Sequence, residues 1–155
     1  MKMINLSNRL FQMGKKTQEG IAFAICLACL FLFALSAYEK FTDMERFTAG
    51  LAKVRWIGTY AAMVAVAVPS LELLISLLLI IPATQHLGLW AFATLMGVFT
   101  LYIASMLLWA EQLPCHCNLI LTHLSFGQHL VFNIGFILLA LGGVYLRKKL
   151  KLQNK

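Results

Sequence analysis

Four apolar runs dominate this chain: about Gly20–Ala37, Gly58–Ile81, Leu89–Ala110 and Gln128–Leu146. Each is long enough to cross a bilayer, since about 20 apolar residues in a helix span the ~30 Å of hydrocarbon. In lipid every backbone N–H and C=O must be satisfied within the segment, so runs of this kind become helices. The four use up most of the 155 residues and leave no room for a separate soluble domain. With 61% hydrophobic residues and a mean hydropathy of +0.81, the composition agrees. The expected fold is an all-α membrane protein. It is a bundle of four transmembrane helices, with a short outer amphipathic helix between spans one and two.

Charge sets the expected orientation. Nine of the thirteen Lys and Arg residues lie in two tails, Lys2 to Lys16 and Arg147 to Lys155. The net charge of +7 therefore reads as a topology signal rather than a nucleic-acid surface. Both termini are expected in the cytoplasm of a bacterial inner membrane, and four spans return the chain to its starting side. Lys40, Arg46, Lys53 and Arg55 fall on the opposite side, diluted by Glu39, Asp43 and Glu45. The first span has a basic flank, and Ala34-Leu35-Ser36 resembles a signal cleavage site, but its long apolar core favours a retained span.

The expected organisation is a basic lead over 1–19, a four-span domain over 20–146 and a basic tail over 147–155. Leu6, Leu10, Phe11 and Met13 suit an interfacial helix in the lead. Phe41, Met44, Phe47 and Leu51 recur at spacings of three and four and predict an amphipathic helix on the outer surface up to about Trp56. Ala65, Pro69, Glu72 and Ser76 share one face of span two, which should look into the bundle. A tight turn is expected from Ala83 to Gly88, and Trp109 at an interface. Ser125 and Gln128 have capping-box spacing at the start of span four, where His129 and Asn133 lie one turn apart.

The residues with chemical potential are few. Cys115 and Cys117 flank His116 in the polar segment between spans three and four. On the outer side of a bacterial membrane they meet an oxidising compartment. His116 and His129 are nearby groups able to favour the reactive thiolate. A structural staple is the alternative, and a metal site is a second, because His123 and His129 add further ligands within fifteen residues. Cys26 and Cys29 share one face of span one near mid-bilayer, where packing is the favoured role. Glu72 is an ionisable residue deep in a span, a costly feature that points to function or to interhelical hydrogen bonding, in a neutral or hydrogen-bonded state. Asn133 suits an amide tie between helices. Lys40 suits a snorkelling cation or a positive charge near the thiols.

Taken in order, Lys40, Phe47, Pro69-Ser-Leu-Glu-Leu-Leu74, Cys115-x-Cys117, Leu124-Ser125 and His129-Leu-x-Phe132-Asn133 form a pattern. It resembles the MauE/DoxX family of redox-associated membrane proteins, on its MauE branch, over about residues 20–146. The resemblance implies a four-helix membrane fold and a part in methylamine utilisation. It implies help in maturing a disulfide-rich periplasmic dehydrogenase subunit, alongside a thioredoxin-like protein. Lys40, Glu72, Cys115, Cys117 and Asn133 are the matching positions. The residue between the cysteines, often glycine in the family, is His116, and the one before the asparagine, often arginine, is Phe132.

The functional expectation is a membrane protein that exchanges disulfides or electrons with a periplasmic thioredoxin-like partner or a disulfide-containing client. Cys115 and Cys117 are its reactive pair and His129 tunes them. Glu72, Asn133 and Lys40 form the interior, with a quinone pocket as one role for it. A non-catalytic maturation factor and a Cys/His metal-handling protein are the alternatives.

A disulfide across one residue closes a small, unrelaxed ring and should be easily reduced. Since ~30 mV corresponds to ~1.4 kcal/mol for two electrons, a few kcal/mol of strain raises the Cys115–Cys117 potential by roughly 50–100 mV. Titration in glutathione buffers against a relaxed reference bridge measures the shift. A potential equal to that of the reference bridge refutes it.

Overall fold

The structure is a computed structural model describing residues 14–52, 57–109 and 126–153. It contains five α-helices and a 3-10 turn. These are α1 (Lys15–Thr42), α2 (Met44–Ala52), the turn Gly58–Tyr60, α3 (Ala61–Ile80), α4 (Gln85–Trp109) and α5 (Phe126–Gln153). Four segments are long and apolar enough to cross a membrane: Lys15–Thr42, Gly58–Ile80, Gln85–Ala104 and Gly127–Leu152. The 28 residues of α1 extend about 42 Å at 1.5 Å per residue, more than the hydrocarbon thickness.

Consecutive long helices run antiparallel. α1 packs most on α3, α4 most on α5, and the α1/α5 and α3/α4 contacts close the ring. One heptad-like stripe of α1 turns inward: Ala22, Cys26, Cys29, Phe33, Ser36 and, one turn on, Lys40. The opposing stripe of α3 is Ala61, Ala65, Pro69, Glu72, Ser76 and Leu79. Ala65, Pro69, Glu72 and Ser76 are buried together, as their spacing predicts. The small residues give the backbones room to approach, as expected where lipid supplies no hydrophobic drive between helices. Leu, Val and Phe side chains on the outer faces are exposed, among them Phe31, Leu77, Leu101 and Leu138, which suits contact with acyl chains.

The core between the helices is apolar and aromatic. Phe33 stacks tilted on Phe92 at 4.2 Å, Phe92 faces Phe136 at 6.4 Å, and Phe136 meets Phe132 at 4.7 Å. Cys26 and Cys29 are free thiols inside this core, in the packing role expected of them.

Element boundaries differ from the sequence expectation in three places. Lys15 to Glu19 belong to α1, because nothing in that stretch breaks the helix before the apolar run. α2, described as far as Ala52, is the amphipathic helix expected between spans one and two. Its apolar face packs on the start of α3, with Leu51 against Ala61 and Ala65, flanked by Met44 and Phe47. Asp43 separates α1 from α2, its Oδ1 accepting from Arg46 N–H and its backbone oxygen from Phe47 N–H. The turn before α4 is shorter than Ala83–Gly88, since the helix starts at Gln85. Thr84 Oγ1 donates to Leu78 O and Gln85 Nε2 to Leu79 O, which satisfies carbonyls at the end of α3. The basic tail continues α5 through Gln153. The interfacial lead helix, the Ser125 cap and the segment 110–125 lie outside the described residues.

Gly143 and Gly142 make a paired test of the α1/α5 packing. A Cβ on Gly143 would sit 2.9 Å from Ile25 Cγ2 and 3.1 Å from Leu89 Cδ1, whereas one on Gly142 meets nothing within 4 Å. Gly143→Val should cost about 1–3 kcal/mol through overpacking. Gly142→Val should leave the melting temperature in detergent nearly unchanged. Equal melting of the two variants contradicts this packing.

Candidate functional site

Beside the aromatic core, towards the end where α2 sits, the helices line a partly open cavity of about 240 Å³. Every described helix lines it. α1 contributes Ser36 and Lys40, α2 Phe47, α3 Val68 and Glu72, α4 Phe99 and Tyr102, and α5 His129, Phe132 and Asn133. Four of the six expected site residues, Lys40, Glu72, His129 and Asn133, thus face one space. Cys115 and Cys117 lie outside the described residues. The segment that carries them joins Trp109 to Phe126, the end of one cavity-lining helix to the start of another.

The polar centre of the cavity is an ion pair. Lys40 Nζ lies 2.7 Å from Glu72 Oε1. Ser36 Oγ donates to the same oxygen at 3.1 Å, and Lys40 also donates to Ser36 Oγ. Helical spacing makes this possible. Ser36 and Lys40 are four apart and so share one face of α1, opposite the Glu72 face of α3. Glu72 is fully buried and the Lys40 side chain is 10% exposed. The ammonium also sits 5.7 Å from the Phe47 ring centroid and 5.5 Å from that of Phe99, which adds cation–π attraction on two sides. The second carboxylate oxygen, Oε2, is buried and has no hydrogen-bond partner among the described residues.

The pair corrects one sequence expectation and agrees with another. Lys40 does not snorkel outward; its ammonium is drawn to the buried carboxylate of Glu72. Glu72 is hydrogen-bonded across the bundle, as expected of it, by a cation and a hydroxyl from α1. Ser36, which the sequence suggested only as part of a cleavage-like tripeptide, completes the network. The signal was available, since Ser36 and Lys40 stand four apart and continue the stripe that holds Ala22, Cys26, Cys29 and Phe33. His129 is half-buried and Asn133 buried, both on the cavity side of α5. Among the described residues no cluster of three or more His, Cys, Asp or Glu has the arrangement of a metal site.

A four-span helical bundle with a lysine–glutamate pair buried against an internal cavity is the architecture of a multi-pass membrane protein with a built interior site. The chain belongs to the methylamine utilisation protein MauE family, whose model matches residues 18–146. No curated protein and no solved structure matches it.

Removing one member of a buried ion pair strands the other, at about 3–5 kcal/mol, whereas replacing both is often close to neutral. Lys40→Met and Glu72→Gln should each lower the melting temperature in detergent, and the Lys40→Met/Glu72→Gln double variant should recover most of the loss. Additive losses in the double variant would show that the two side chains are not coupled.

Proposed function

We propose that this protein is a thiol/disulfide redox protein of the bacterial inner membrane, with both termini cytoplasmic. It works with a periplasmic thioredoxin-like partner in the maturation of disulfide-containing periplasmic proteins. The observation that carries the reading is the convergence of Lys40, Glu72, His129 and Asn133 on one cavity, whose flanking helices α4 and α5 are joined by the Cys115-His116-Cys117 segment. Cys115 lies six residues beyond Trp109 and Cys117 nine before Phe126. At no more than ~3.6 Å per residue, these tethers limit how far the thiols can lie from the ends of α4 and α5, which supports the reading. Membership of the MauE family supports a setting in methylamine utilisation.

The exchange balances without further reagents. A thiolate of the reduced partner attacks one sulfur of the Cys115–Cys117 disulfide, forming a mixed disulfide and releasing the other cysteine as thiolate. The partner's second thiolate then attacks the mixed disulfide. The partner leaves oxidised and the loop pair leaves as a dithiol, having gained two electrons and two protons. In this reading His129, at the start of α5, exchanges protons with the released thiolate.

Two measurements test the reading. Reporter fusions at Lys155 and near Gln112 should report opposite sides of the membrane; a periplasmic C-terminus removes the compartment on which the chemistry depends. Cys115→Ser or Cys117→Ser should trap a covalent complex with a thioredoxin-like protein, visible as a thiol-reducible band. The double Ser variant should insert normally, because so short a loop removes little unfolded-chain entropy. A double variant that fails to accumulate, with no trapping by either single variant, marks the pair as a structural staple.

A further inference from the structure

The Glu72 carboxylate is satisfied on one side only. Oε1 takes both the Lys40 and the Ser36 bonds, while Oε2 is buried without a partner among the described residues, and Glu72 lines the cavity. A buried carboxylate oxygen left bare is costly, so a vacant acceptor of this kind implies a donor that arrives with a ligand. The Lys40 ammonium has three N–H donors, and Ser36 Oγ and Glu72 Oε1 account for two of them. Side by side the cavity therefore offers one acceptor and one donor.

The remaining features narrow the ligand. The formal charges of Lys40 and Glu72 cancel, so a charged ligand would enter an apolar space without a counterion. The walls include Phe47, Phe99, Tyr102 and Phe132, which suit the faces of a flat ring. A volume of about 240 Å³ is ample for a substituted six-membered ring. The surrounding bundle is lipid-facing, so the ligand is one that partitions into a membrane.

We propose that this cavity binds the head ring of a membrane quinone and of its quinol. A quinone carbonyl accepts from Lys40, and a quinol hydroxyl donates to Glu72 Oε2, so the same pair serves both oxidation states. The proposal rests on the thiol reading only for its physiological use: loop dithiol plus quinone gives loop disulfide plus quinol, with two electrons and two protons passing to the ring. Binding itself does not require the cysteines.

Calorimetric titration of the purified full-length protein in detergent with decylubiquinone tests it, with decanol as a control for the tail. Saturable binding near one equivalent, not competed by decanol, is expected. Val68→Phe, which fills the cavity, and Lys40→Met/Glu72→Gln, which removes both polar anchors together, should each weaken binding at least tenfold with the fold intact by circular dichroism. Cys115→Ser/Cys117→Ser should bind as the unaltered chain does. Binding retained there while neither single Ser variant traps a partner upholds the cavity site and discards the thiol function. Absence of saturable binding to the unaltered protein, equal competition by decanol, or unchanged affinity in both folded cavity variants overturns the proposal.

Discussion

The ion pair between Lys40 and Glu72 organises the interior of this bundle. A lysine and a glutamate inside a membrane protein each demand a counter-charge, because the surrounding medium cannot solvate them. Meeting that demand fixes the register of α1 against α3 at one level, and the rest of the site is arranged around that level. Ser36 shares the carboxylate oxygen one turn below Lys40, and Phe47 from α2 and Phe99 from α4 flank the ammonium. Four elements thus converge on one charged group, although only two supply the charges.

That convergence explains why the cavity and the core occupy different levels of the same bundle. Below the pair, Phe33, Phe92 and Phe136 interlock and the helices close on Cys26, Cys29 and Leu79. At the level of the pair, polar groups and large rings hold the helices around open space. Phe33 and Phe132 belong to both regions, lining the cavity and continuing the aromatic chain. α2 adds Phe47 and Leu51 to the cavity wall while its apolar face packs on the start of α3.

The proposed function divides the protein into a cavity that binds and a segment that reacts. A cavity held by helices stays in register, which is what recognition of a ring requires. Thiol exchange with a soluble partner needs access to water, and the cysteines lie in the polar stretch between α4 and α5. The segment joins the ends of two helices that line the cavity.

The sequence alone determined the number of spans, the inward face of α3 and the shared face of His129 and Asn133. These follow from local periodicity, in which hydropathy over twenty residues and a 3.6-residue repeat leave little choice in lipid. Cys26 and Cys29 were equally legible as packing residues, because a mid-span thiol sees neither water nor oxidant. Only the tertiary structure decided that Lys40 turns inward to Glu72, that Ser36 joins them and that the apolar face of α2 packs on the start of α3. Each of these depends on which helices become neighbours. Lys40 and Glu72 are 32 residues apart, and no periodicity within α1 or α3 encodes that they face one another. The cavity is likewise a property of five elements together, set by where bulky rings and charges prevent the helices from closing.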